Sequence, residues 1–418
     1  PKGEFNENVS YAGSTRLPLI YFAAHRYWVS GGENLLAQPP FPQTGRWYMH
    51  FTAPPGRMAE FGDSHLEAAP IASHYAALAA ATGDGLFQWY YLTYPSRDDA
   101  ISLPLELLWY DDRVDPVFPE EHLPRGAAFP AHSGCISSRA NWDAKVTPSL
   151  VFSKAGHGAE GHGNHDAGQV CIDGYGQRLI VDLGSPPMYP ADFFGANRYQ
   201  YYNTSVLGHN LLSFDGEEML GSVEDRAEIT EARFNDFRGG CWALDLTGCY
   251  AGVKKVTRRV IHLLPDVIGV LDEAELHEER EIALRWHTAD RSAPDAEGAF
   301  VVDNNGVQLV ARILCLSDGD PVYQRAEHAY AAPFNQGRLG DEMSQRNESY
   351  VTVSLRARTC RWLTLFAVYP PGATTGRWTE ENGGWAIDLD KRRLRGGVFD
   401  GRFAVIASPL HAWVMDLS

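Results

Sequence analysis

The chain has 418 residues, 44% of them hydrophobic and 12% aromatic, enough to bury several cores and too many for one ordinary domain. Its formal net charge of -17 argues against nucleic acid as a partner, and an acidic substrate would have to be drawn by a local group of Arg residues. No run approaches the roughly 18 apolar residues of a membrane span, and the 6 cysteines are scattered without a CxxC pair, so they read as reduced core residues.

In chain order, the start at Pro1, with neither a Met nor a signal peptide, reads as a processed or truncated product. Apolar residues then recur at helical spacing over Tyr11 to Trp28 and Ile71 to Tyr91, and the stretch from Gly31 to Pro70 between them is rich in Pro and Gly. So few helices cannot close a core of their own. After about Phe129 the texture changes to short apolar runs broken by Gly, Asp and Asn, such as Gln177 to Asp182. Arg259 to Leu264 is another, and Pro265-Asp266 turns it into Val267 to Leu271. The expected fold class is therefore α+β and multidomain, a helical part followed by a large antiparallel β-sheet or β-sandwich region. The expected divisions are helices over 1–125, a central sandwich with a metal site over 126–290, and a C-terminal sheet layer or domain over 291–418. The polar interval Asp290 to Ala299 marks the second boundary.

Chemistry concentrates between Gly156 and Gly168, where His157, His162 and His165 stand with Glu160, Asp166 and five glycines. So many glycines leave few side chains for a core, and the backbone is shaped for a site. The imidazoles of His165 and His209 with the carboxylate of Asp182 form a ligand set suited to tetrahedral Zn²⁺, a water or main-chain oxygen completing it. Hydrogen bonding at strand ends is the other reading of the same three residues. The aromatic content suits stacking of sugar rings, a use that competes with β-rich cores for the same residue types.

Three stretches carry a resemblance to a known family. The run from Arg139 to Gly184 contains Arg-Ala-Asn-Trp142, His162-Gly-Asn-His-Asp166 and Gly176-Gln-Arg-Leu-Ile-Val-Asp-Leu-Gly184. Arg198-Tyr-Gln-Tyr-Tyr202 follows, leading to His209-Asn210 and Asp215-Gly216, and then Arg259 to Asp272 around Leu-Pro-Asp266. This succession resembles the heparinase II/III-like polysaccharide lyases, and in layout it is most similar to the oligoalginate lyases. The resemblance implies that the N-terminal helices are the last ones of an (α/α) toroid whose remainder is a partner segment of the same protein. It also implies a bacterial protein of the periplasm or cytoplasm, one structural zinc per chain, and an acidic oligosaccharide or polysaccharide as substrate. Monomer and homodimer both stay open.

The family's pattern has two His two residues apart before the Asp, whereas His162 and His165 are three apart. His165 is read as the metal ligand and His162 as the group facing substrate, with exchange of the two, or intrusion of His157, left open. Phe5-Asn-Glu7-Asn-Val-Ser-Tyr11 resembles the family segment in which an acidic residue precedes the catalytic Tyr by four positions. β-Elimination beside a uronate carboxylate needs donors for the developing charge, a base for the C5 proton and an acid for the leaving O4. The expected catalytic pair is Tyr11 and His162, with Asn164, Arg139 and Arg198 binding substrate. Alginate oligosaccharides are the expected substrate and heparin or heparan sulfate the alternative. Readings from other classes are a non-catalytic carbohydrate-binding β module and a zinc hydrolase using Glu160 as base.

Overall fold

The structure is a computed structural model and describes residues 2–7, 9–65, 68–94, 102–158, 161–186, 189–332, 334–335 and 346–417. Helices occupy the N-terminal part, at Val9–Ala24, Phe41–His50, His74–Thr82, Gly85–Thr93 and Ser102–Trp109. The periodicity over Ile71 to Tyr91 is split into two helices by Gly83-Asp84. Gly83 ends the first in the left-handed region (φ 69°), open to a residue without Cβ, and the Asp84 carboxylate starts the second by accepting from the Leu86 amide at 2.9 Å. Phe41–His50 arises inside the Pro- and Gly-rich stretch. Pro42 lies in its first turn, where a missing N–H costs nothing, and Trp47 and Tyr48 bury the helix. Among the described residues no helix is long and apolar enough to cross a membrane.

The β part contains three large antiparallel sheets. In the first, strands Gly126–Phe129, Cys135–Arg139, Leu150–Lys154, Val170–Gly174 and Gln177–Ile180 lie side by side in that order. The second is a ten-stranded sheet. Its central members are Gly239–Asp245, Val253–Leu263, Val267–His287 and Asn347–Tyr369, with Leu212–Phe214 alongside Val267–His287. The third is a five-stranded meander from Thr379–Glu381 to His411–Asp416.

The layers stack as helices, five-stranded sheet, ten-stranded sheet, meander. Phe129, Leu150 and Phe152 share a core with the helices, which is how so few helices bury their apolar faces. Val151, Val170 and Ile172 point the other way, into a core with Val260, Ile268 and Phe366 of the ten-stranded sheet. Ile261, Leu271 and Leu365 face the opposite side, against Leu394, Phe403 and Val405 of the meander. Side chains alternate across a strand, so a sheet covered on both faces buries successive residues, as Val260 to Leu264, with His262 among them, and Val267 to Leu271 show.

The expected boundary at residue 290 falls inside one sheet. Val267–His287 pairs with Asn347–Tyr369 from Val267 opposite Ala367 to Glu275 opposite Thr359 and, past an irregularity, from Arg280 opposite Ala357 to His287 opposite Tyr350. The polar interval after Asp290 is a loop that leaves this sheet and returns to it, since sheet neighbours need not be neighbours in sequence. The meander that begins at Thr379 is the C-terminal layer.

Arg258 ties the ten-stranded sheet to the loops above it. Fully buried, it pairs with Asp272 at 2.7 Å and donates to the carbonyls of Gly168 at 2.7 Å and Asn210 at 2.5 Å. A buried guanidinium is tolerated when acceptors of this kind surround it. The histidine-bearing loop and the segment around His209 are thereby anchored to one rigid point.

Candidate active site

Three chain segments meet over the loop that connects Gly156–His157 to Val170–Gly174. Tyr11 comes from the first turn of Val9–Ala24, Asp63 from the segment after the short hairpin Thr52–Ala53/Arg57–Met58, and Tyr189 and Arg198 from the stretch beyond Asp182. His162, between Gly161 and Gly163, has φ 56°, a left-handed conformation that costs a side chain energy and that recurs at functional sites. Its carbonyl accepts from the Asp63 amide at 3.0 Å, so the two loops hold each other by backbone as well as by side chain.

The Tyr11 and His162 rings stack with centroids 3.9 Å apart. Tyr11 and Tyr189 share a hydrogen bond of 2.5 Å between their hydroxyls, and the Tyr189 hydroxyl also lies 3.3 Å from the Asp63 carbonyl. His162 Nδ1 is 3.2 Å from the Asp63 carboxylate, whose side chain is fully buried. Arg198 Nη2 lies 2.9 Å from each Asp63 oxygen, and Ser185 adds a hydroxyl at 3.3 Å. Burial raises the Tyr11 phenol above its ordinary value; the Tyr189 hydrogen bond works against this, and the charge of Asp63 works with it. The Tyr189 phenol is raised further, by burial and then by Asp63. At neutral pH both hydroxyls hold their protons.

The structure thus brings Tyr11 and His162 together as expected, while Asp63 and Tyr189 are residues that the sequence reading missed. Phe61-Gly-Asp-Ser-His65 was the available signal, three polar residues beside a glycine within a Pro- and Gly-rich stretch. Tyr189 carries no local signal at all.

The three expected substrate-binding residues are placed differently from the expectation. Arg139 is buried, lies over the Trp142 ring at 4.0 Å, and donates to the carbonyls of His50 at 2.6 Å and Thr52 at 3.1 Å; its charge braces the helical layer against the sheet. Asn164 is also buried, with its amide nitrogen toward the Asn203 carbonyl at 3.3 Å and its oxygen 3.1 Å from Arg198. Arg198 spends its contacts on Asp63, Asn164 and the Gly163 carbonyl at 2.8 Å, which makes it a positioning residue for the His162–Asp63 pair. Its Nη1 is buried without a hydrogen-bond partner. Glu160 lies outside the described residues.

Of the expected zinc ligands, His209 Nδ1 and Asp182 Oδ1 face each other at 3.0 Å, both fully buried. His165 stacks on Tyr199 at 3.6 Å and turns Nδ1 to Glu218 at 2.7 Å. Among the described residues no group of three or more His, Cys, Asp or Glu is arranged to hold a metal ion. Yet His165 Nε2, Asp182 Oδ2 and His209 Nε2 are each buried with no hydrogen-bond partner. Buried polar atoms are nearly always satisfied, and imidazole and carboxylate are ligand types that a cation of the zinc class takes, but among the described residues the three side chains do not form one arranged group.

No protein of curated function matches the chain in sequence. Among solved structures, the heparan sulfate lyase HepC from Pedobacter heparinus is similar at a TM-score of 0.69 and 12% identity, over 94% of this chain and 58% of that one. A heparinase III gene product is similar at 0.67 and 12%, over 99% and 58%. A further heparinase III is similar at 0.62 and 14%, over 99% and 60%. At such identities the likeness is one of fold, and this chain spans about three fifths of the length of those proteins. The family described as Heparinase II/III-like, C-terminal, matches residues 132–362, more than half of the chain and the whole of the histidine-bearing loop, so the chain belongs to the heparinase II/III-like family.

Proposed function

We propose that the chain is the C-terminal portion of a polysaccharide lyase that cleaves an acidic, uronate-containing glycan by β-elimination. The observation that carries this reading is the stacked Tyr11–His162 pair, with Tyr189 bonded to the phenol and Asp63 to the imidazole. Elimination breaks the C5–H bond, forms a C4–C5 double bond and expels O4. Tyr11, a phenol that is protonated at neutral pH at its ordinary value and is raised further by burial, delivers its proton to O4 as the bond breaks. His162, oriented through Nδ1 by Asp63, takes the C5 proton on its other ring nitrogen. C5–H and O4 of one sugar are two bonds apart, a separation that two stacked side chains can serve together.

The charge that develops on the uronate needs an aimed donor as well. Asn164 is buried against Arg198 and does not supply it. That role falls to a further segment, in line with the expectation that the N-terminal helices close a toroid begun elsewhere in the protein.

Zinc bound by His165, Asp182 and His209 would supply a cross-link that fixes the loop carrying His162, with no part in the proton transfers. The three buried, unsatisfied atoms support this assignment.

For the substrate, heparan sulfate or heparin is favoured over alginate, since the solved structures that share the fold bear the names of heparan sulfate lyase and heparinase. Incubating the protein with heparan sulfate, heparin and alginate oligosaccharides, and following the ultraviolet absorbance of an unsaturated uronate, tests the reading. Product from heparan sulfate or heparin is expected. Product from alginate alone would restore the substrate expected from layout, and glycan binding without product would leave a carbohydrate-binding module.

A further inference from the structure

Beside His162 stands an aromatic side chain that the proton transfers do not use. Phe194 meets the His162 ring edge to face, with centroids 5.0 Å apart and planes at 83°. Tyr189 and Phe193 also pack against it at near-perpendicular angles, with centroids 5.0 and 5.4 Å away. The Arg198 guanidinium lies 5.1 Å from its centroid. A ring held by three aromatic neighbours and a buried cation is fixed in orientation, and yet 54% of Phe194 is exposed. Its neighbours Phe193 and Tyr201 are buried, whereas Phe194 leaves its ring open to solvent beside His162.

We infer that Phe194 is a stacking platform for the pyranose ring next to the one that reacts at His162, and that it sets how tightly the glycan is gripped. The inference rests on the reading of the site as a glycan-cleaving centre. One face of a pyranose is a patch of C–H groups that covers an aromatic ring well, and burial of apolar surface supplies the attraction. A platform already immobilised loses little conformational freedom when the sugar docks, so most of that attraction appears as affinity. Phe194 gives and takes no proton. Its loss should act on binding of ground state and transition state alike.

The test uses the full chain in two backgrounds. In wild type, Phe194→Ala should raise KM for a defined heparan sulfate oligosaccharide roughly tenfold or more while kcat changes by less than about threefold, and Phe194→Trp should restore KM. In a Tyr11→Phe background, calorimetry with the same oligosaccharide should show the same roughly tenfold weakening for Phe194→Ala, without any turnover. Unchanged melting temperature is expected, because the ring is more than half exposed. Equal binding with and without the Phe194 ring overturns the platform and leaves the lyase reading standing. Weakened binding in a protein that forms no unsaturated product overturns the lyase reading and leaves the platform standing. Absence of glycan binding in the Tyr11→Phe parent overturns both.

Discussion

His162 and His165 belong to one loop and have opposite surroundings. His162 is partly exposed, stacked on Tyr11 and bonded to Asp63, within a network that continues to Arg198 and Tyr189. His165 is buried under Tyr199 with one ring nitrogen left without a partner, and Asp182 and His209 show the same deficit. Under the proposed function the first imidazole is the one turned to substrate and the second the one turned to a bound ion, although only three residues of glycine-rich backbone separate them.

The largest effect that separates the two histidines should come from the group stacked on the first. Tyr11→Phe removes one hydroxyl and keeps the ring, so product formation should fall roughly 100- to 10,000-fold. Melting should report a cost of only about 1 kcal/mol. Activity within a few-fold of wild type would take Tyr11 out of the mechanism.

His162→Ala should lower turnover by roughly two orders of magnitude and leave zinc content unchanged, whereas His165→Ala should lose the metal. Zinc lost from the first variant and kept by the second would show that the two histidines have exchanged roles.

Asp63 joins His162 to Arg198. Asp63→Asn keeps the shape and removes the charge, leaving Arg198 buried without its counterion, so a destabilisation of about 3–5 kcal/mol by denaturant titration is expected along with loss of activity. A stable, fully active variant would show that the buried pair neither braces nor orients His162.

On the metal side, about one zinc per chain is expected by elemental analysis, and His209→Ala should lose both the ion and several degrees of melting temperature. Wild-type protein free of any transition ion, prepared without chelator, would end the zinc assignment.

The last effect leaves turnover aside and concerns pH and histidines away from either site. His50 and His262 are buried, and burial holds each down to about 3, helped at His50 by the charges of Arg139 and Lys2. Between about pH 6.5 and that value the unfolded chain takes up a proton at each position and the folded chain does not. Stability is therefore complete above about pH 6.5 and falls on acidification, by about 1.4 kcal/mol per pH unit for each histidine. His262 has Ser149 at 2.7 Å from one nitrogen and Ser138 at 2.9 Å from the other, so His262→Gln should flatten the acid limb. Melting temperatures that do not change between pH 7 and pH 5 would contradict this.

Much of the fold was legible in the sequence. The change of texture after Phe129 separates helices from sheets, and Pro265-Asp266 does turn Val253–Leu263 into Val267–His287. The division at residue 290 was not, because a polar loop inside a sheet and a polar linker between domains have the same composition. Arg139 misled in a similar way: a family-like motif containing Arg next to an aromatic residue fits a sugar site, but the guanidinium is consumed by the carbonyls of His50 and Thr52. Nothing in the sequence states whether an Arg has acceptors waiting for it.

By itself, the sequence determined the class of fold, the family resemblance and the loop on which the chemistry stands, because these depend on residue types at short spacing. Five glycines in thirteen residues mark the loop, and alternating apolar residues commit their segments to strands. The tertiary structure alone decided which groups meet there. Asp63 stands 99 residues from His162, and Tyr189 stands 178 residues from Tyr11. No period or local motif encodes such pairs. They are brought together by layers packing through shared cores and by backbone bonds between loops, and until those layers stack, a buried carboxylate that orients an imidazole looks the same as any aspartate in a loop.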